Sequence, residues 1–127
     1  MNISTTTIVC DFYFESAHRL PHVDPRHKCF QLHGHNYRVQ IHVKGPVEPH
    51  TGMVMDFADV KMAFAPIHKS LDHKYLNEIQ GLENPTSEII AAWIWRQLYP
   101  TLPLLSTIVV FETQNMHCIY EGPPIGE

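Results

Sequence analysis

His33-Gly34-His35-Asn36-Tyr37-Arg38-Val39-Gln40-Ile41-His42-Val43-Lys44 alternates without a break. Its odd positions are apolar, aromatic or histidine, and its even positions are small, polar or charged. A period of two marks a strand with one buried face. His33 and His35 therefore lie side by side on that face. A single inward histidine is ordinarily a satisfied core residue. Two that open a strand, just after a loop carrying Cys29, point instead to metal binding. Gly34 between them either lets a backbone or ligand approach closely or marks a bulge.

Upstream, residues 7–19 read as a second strand. Ile8, Cys10, Phe12 and Phe14 share a face, and Ser16 and His18 continue it. His18 then points inward at the strand end, provided no bulge shifts the count. Three neutral imidazoles with an open fourth position are a known way to hold a catalytic zinc. Residues 20–32 form a loop, because Pro21 and Pro25 deny it a ladder. Arg19, Arg26 and Lys28 make this the most basic part of the chain. Two explanations stay open: a site for an anion such as a phosphate ester, or a loop charged for solubility.

Downstream, residues 45–52 are a turn or wide hairpin connection, and Met53-Val54-Met55 suits a short extended piece. Asp56 is suited to cap a helix whose stripe is Phe57, Val60, Phe64, Ile67 and Leu71, with Pro66 kinking it late. Asp72 and His73 follow, either as a helix end meeting the dipole or as a proton-transfer pair. Asn84 suits the cap of a second helix, with Pro85 first and Glu88 in the first turn. Ile90, Trp93, Ile94 and Leu98 form its stripe, and Pro100 marks its end. Residues 107–113 are a strand apolar on both faces, so Glu112 either needs a partner or sits at a strand end in water. Met116 to Tyr120 make a last strand, with Cys118 a buried hydrophobe, and residues 122–127 are a flexible tail.

The order β-β-α-α-β-β implies an α+β fold: an antiparallel sheet with both helices on one face. The other face then needs cover, which points to oligomerisation.

The 127 residues suit one domain spanning 1–127, and 44% hydrophobic residues are enough for an ordinary core. A net charge of −4 argues against nucleic-acid binding. No apolar run is long enough for a membrane span, and the first six residues do not read as a signal peptide. Three cysteines without a pairing pattern suit a reducing compartment, so the cytoplasm is expected. Of the ten histidines, His42, His50 and His68 read as surface residues.

The residues Phe14-Glu15-Ser16-Ala17-His18-Arg19-Leu20-Pro21, Cys29-x-x-x-His33-Gly34-His35-Asn36-Tyr37, Leu71-Asp72-His73, Asn84-Pro85-Thr86-Ser87-Glu88 and Phe111-Glu112-Thr113 occur in this order over about residues 7–121. Together they resemble the 6-pyruvoyltetrahydropterin synthase superfamily. The gap between Cys29 and His33 resembles its bacterial 6-carboxy-5,6,7,8-tetrahydropterin synthase branch, of queuosine biosynthesis. The resemblance implies a tunnelling fold, with subunits forming a barrel, as a homohexamer of two stacked trimers with sites at subunit interfaces. It implies Zn2+ on His18, His33 and His35, and 7,8-dihydroneopterin triphosphate as substrate. Cys29 would be the general base, Asp72 and His73 would relay protons, and Glu112 would anchor the pterin. Thr86, Ser87 and Thr113 would be lesser pterin contacts, and the basic loop would meet the triphosphate. Phe30-Gln31 departs from the related pattern, in which a small residue follows the cysteine. A change in how the loop closes is therefore expected. The alternatives are pyruvoyltetrahydropterin formation or another pterin side-chain cleavage and, in another class, a non-catalytic zinc or pterin-binding module. A β-rich interaction protein with core histidines is the plainest rival.

Overall fold

The computed structural model describes residues 4–124. Strand β1 (Thr5–His18) and strand β2 (His33–Pro46) form a long antiparallel pair, in register from Thr5↔Pro46 to His18↔His33. No bulge interrupts that pairing, so the parity count holds to its end. Tyr37, Val39, Ile41 and Val43 are buried, as are Phe14, Ser16 and His18. Because His18 faces His33 across the ladder, the inward faces of both strands end in imidazoles.

Helix α1 (Phe57–Leu71) starts where expected, with Asp56 accepting from the Ala58 amide. Its buried stripe is Val60, Phe64, Ile67 and Leu71. Phe57 departs from expectation and is 60% exposed. It stands at the first helical position, before the stripe turns onto the sheet. Pro66 removes one backbone bond, on the turn of the exposed Met62, and the helix continues to Leu71. Met53-Val54-Met55 is not a strand, although Val54 and Met55 pack on the core.

Helix α2 begins later than expected. It spans Ser87–Leu98, and its cap is Thr86, whose side chain accepts from the Ile89 amide. Asn84 and Pro85 precede it. The Thr86 hydroxyl displaced Asn84 because only it reaches an amide one turn on. Ile90, Trp93, Ile94 and Leu98 are buried as expected, and Ala91 and Trp95 join them.

Strands β4 (Leu105–Thr113) and β5 (Met116–Tyr120) complete the chain. A two-residue strand β3 (Lys74–Tyr75) pairs in parallel with Ser16 and Ala17, so the sheet is mixed, with order β3-β1-β2-β4-β5. The expected antiparallel sheet is thereby corrected at one edge. Two residues carry too little periodicity to be read as a strand. Their position is fixed by side-chain bonds, since Ser16 Oγ donates to the Leu71 carbonyl and the Glu15 amide to Asp72 Oδ1 at 2.9 Å. Both helices pack on the sheet face that carries Tyr37, Val39 and Ile108. Tyr13 and Ile119, on the other face, are 64% and 62% exposed. Cys118 is only half-buried, and of the tail expected over 122–127, residues 125–127 lie outside the described residues.

Candidate metal centre and active site

The long β1–β2 ladder delivers three imidazoles to one point. One ring nitrogen from each of His18, His33 and His35 lies within 4.8 Å of the others. His18 is fully buried, and its Nδ1 lies 2.8 Å from the Pro85 carbonyl. His33 Nδ1 lies 2.8 Å from the Gln31 carbonyl. A carbonyl oxygen only accepts, so both Nδ1 atoms carry the hydrogen. In the neutral rings both Nε2 atoms are then bare lone pairs, and they face each other at 3.0 Å. Two acceptors at that distance repel unless a cation lies between them. Nitrogens held about 2.05 Å from one tetrahedral ion sit about 3.3 Å apart. His35 Nε2 is buried without a hydrogen-bond partner. Glu112 Oε1 is 3.4 Å from it, close enough for charge attraction but without hydrogen-bond geometry. An orphaned buried nitrogen beside two opposed lone pairs fits a bound metal ion.

Burial lowers the pKa of His18 and of His35, the main cause in each case, which keeps the rings neutral and ready to ligate. The Tyr37 hydroxyl lies 3.2 Å from His18 Nδ1 and 3.4 Å from Nε2. Burial, followed by the charges of Glu112 and Cys29, pushes its pKa far up. It stays a neutral phenol behind the histidines. Tyr37 read as core in the sequence, yet it shares the parity of His33 and His35, and that was the available signal.

Cys29 sits on a 3-10 turn, Lys28–Phe30, in the loop between β1 and β2. It lines a cavity of about 310 Å³ together with Lys28, His33, His35, Glu112, Thr113 and Met116. The thiol, two of the three histidines and Glu112 thus share one space. Glu112, near the end of β4, also accepts from Ser87 Oγ at 3.2 Å. Its partners are now visible: a hydroxyl from the start of α2 and the His35 ring. Thr86 spends its hydroxyl oxygen on the cap of α2.

Asp72 and His73 lie elsewhere. His73 has φ 57, a left-handed conformation unusual for a residue with a side chain, and its amide donates to the Glu15 carbonyl at 2.6 Å. Its Nδ1 is 2.9 Å from Asp72 Oδ2, and its Nε2 is 3.4 Å from Glu15 Oε2. The dipole reading of His73 gives way to this carboxylate pairing. His73 lines a cavity with Glu15, Gly34 and His35, and among the cavities described none is lined by both Cys29 and His73. Gly34 serves open space here rather than a bulge, since a Cβ would meet only the Ser16 carbonyl, at 3.4 Å.

The hydrogen bond to Asp72, then its charge, raises the His73 pKa, and the Glu15 charge adds to this. The imidazolium is therefore favoured in the folded state. Its contribution to stability is fully present below the unfolded value of about 6.5 and is lost as pH rises through the raised folded value. Asp72→Asn is expected to move the His73 titration down in pH, read by histidine NMR. An unchanged midpoint would show that the pair does not form in solution.

Residues 7–123 match the family model described as 6-pyruvoyl tetrahydropterin synthase. The chain belongs to the 6-pyruvoyl tetrahydropterin synthase family. A 6-carboxy-5,6,7,8-tetrahydropterin synthase of Synechocystis sp. is 44% identical over 119 residues, 89% of this chain and 91% of the relative. The human 6-pyruvoyl tetrahydrobiopterin synthase is 40% identical over 96 residues, 71% of this chain and 66% of the relative. Among solved structures, the Caenorhabditis elegans 6-pyruvoyl tetrahydropterin synthase superposes with TM-score 0.87 at 26% identity, covering 97% of this chain and 99% of that one. The chain therefore has the tunnelling-fold architecture of this family.

Proposed function

We propose that the protein is a zinc-dependent 6-carboxytetrahydropterin synthase. It converts 7,8-dihydroneopterin triphosphate and water to 6-carboxy-5,6,7,8-tetrahydropterin, acetaldehyde and triphosphate, in queuosine (7-deazaguanine) biosynthesis in the cytoplasm. The observation that carries this reading is the cavity shared by Cys29, His33, His35 and Glu112. The name and high identity of the Synechocystis relative favour the carboxy product over the pyruvoyl one.

His18, His33 and His35 would hold zinc, which, when bound, supplies Lewis-acid polarisation of the substrate's side-chain hydroxyls. Cys29 takes a proton from that side chain as general base. Glu112 accepts the pterin ring N–H and amino hydrogens, steadied by Ser87. Thr113 borders the same space, and Thr86 holds the helix start beside it. Asp72 and His73 return protons. They line cavities that lack Cys29, one of them bordered by the same His35, which supports a role for the pair in the site of a neighbouring subunit. The exposed sheet face supports the same conclusion, a hexamer of 14.7 kDa chains, and light scattering measures it.

Two of the three basic candidates for the triphosphate are engaged elsewhere. Arg26 forms an exposed pair with Asp24 at 2.9 Å, and Arg19 is bound to the Phe30 carbonyl. Lys28 lines the Cys29 cavity. Lys28→Ala is expected to raise KM for the triphosphate substrate about tenfold, the scale of one charge-assisted bond, and to leave the inhibition constant of dihydroneopterin, which lacks the triphosphate, unchanged. Equal effects on both compounds would remove Lys28 from this role.

Product analysis after incubation with dihydroneopterin triphosphate tests the whole reading. Acetaldehyde and a 6-carboxypterin are expected. A 6-pyruvoyl product without acetaldehyde would move the protein to the neighbouring branch, and no turnover with metal bound would favour a binding module.

A further inference from the structure

The Cys29 loop has no ladder to hold it, and its only regular element is the turn Lys28–Phe30. A base misplaced by about 1 Å loses much of its effect. Arg19, the residue after the metal-site His18, spans the loop. Its Nε donates to the Phe30 carbonyl at 3.1 Å, and its guanidinium carbon lies 4.3 Å from the Phe30 ring centroid. Its own main chain is clamped at both ends by one side chain. The Arg19 amide donates to Asn77 Oδ1 at 3.0 Å, and Asn77 Nδ2 donates to the Arg19 carbonyl at 2.8 Å. The following Leu20 amide donates to the Cys29 carbonyl at 2.8 Å. Beyond Phe30, the Gln31 carbonyl receives His33 Nδ1. Cys29 is thus suspended between Arg19 on one side and a metal-site histidine on the other.

We propose that Arg19 is a positioning residue for Cys29, fixing the thiol over the cavity by stacking on Phe30 and bonding its carbonyl, and is not a ligand of the triphosphate. The inference rests on the assignment of Cys29 as base. It explains why a large ring follows the cysteine in this chain: the ring is the surface on which the guanidinium lies. Lysine would keep the charge but supply neither the flat stacking face nor the Nε–H.

The test compares Arg19→Lys, Arg19→Ala and Phe30→Ala in the metal-loaded protein. It measures kcat, KM and the rate at which iodoacetamide alkylates each cysteine, resolved by peptide mass spectrometry. All three variants are expected to lose about tenfold or more in kcat. KM for dihydroneopterin triphosphate should stay within about twofold. Alkylation of Cys29 should change rate, while Cys10 and Cys118 should keep theirs. Arg19→Lys with wild-type kcat would overturn the proposal. So would a raised KM at unchanged kcat, the signature of a charge on the triphosphate. Parallel changes at Cys10 and Cys118 would make Arg19 a residue of the fold at large and also overturn it. If Cys29→Ala leaves turnover intact, the base assignment fails, yet the alkylation rate of Cys29 in Arg19→Lys still tests the clamp.

Discussion

Cys29→Ala is expected to keep its metal and to lose turnover by about 10³-fold, the middle of the range for a general base. The two halves of that result have separate causes. The metal-site nitrogens come from His18, His33 and His35, which cluster without the thiol. The carbonyls that set the rings belong to Gln31 and Pro85. The thiol stands in the cavity with His33, His35 and Glu112, placed to act on a substrate there. Metal analysis and turnover on one preparation decide it. Loss of metal together with the thiol would make Cys29 a ligand and close the site, as in a structural centre.

His33→Ala is expected to lose both metal and activity, the latter by at least about 10²-fold, since Lewis-acid assistance amounts to several kcal/mol. A second readout separates metal loss from damage elsewhere. Three histidines from two strands meet only in the folded chain, so metal binding stabilises it, by about 4 kcal/mol at a thousandfold excess over Kd. Chelation should therefore lower the Tm of the wild-type protein, and His33→Ala should show no response to the chelator. A variant whose Tm still falls on chelation would show that the ion lies elsewhere.

The meeting of the three histidines was legible because strand parity is a strong constraint. With no bulge between Thr5 and His18, the even–odd count begun at Ile8 placed His18 on the inward face, where it is buried. Both helices and four of five strands followed from periodicity. What escaped depends on side-chain reach rather than on period. The cap of α2 went to Thr86 rather than Asn84. Strand β3 is two residues long and owes its place to bonds from Ser16 and Glu15. The Glu15–His73 contact and the Arg19–Phe30 stack join residues distant in sequence or inside an irregular loop, where no repeat announces them. Glu112 could be flagged as a charge needing a partner, but Ser87 as that partner needed coordinates.

The carbonyls of Pro85 and Gln31 that orient His18 and His33 belong to the main chain. No change of side chain at either position deletes such an acceptor. The proton placement that leaves both Nε2 atoms open to a metal is thus inherited with the chain path, and positions 31 and 85 are free to drift in identity. Selection on this centre should act on the three imidazoles and on loop geometry. Variation among descendants should gather at positions 31 and 85, where the side chain can change while the main-chain acceptor is kept.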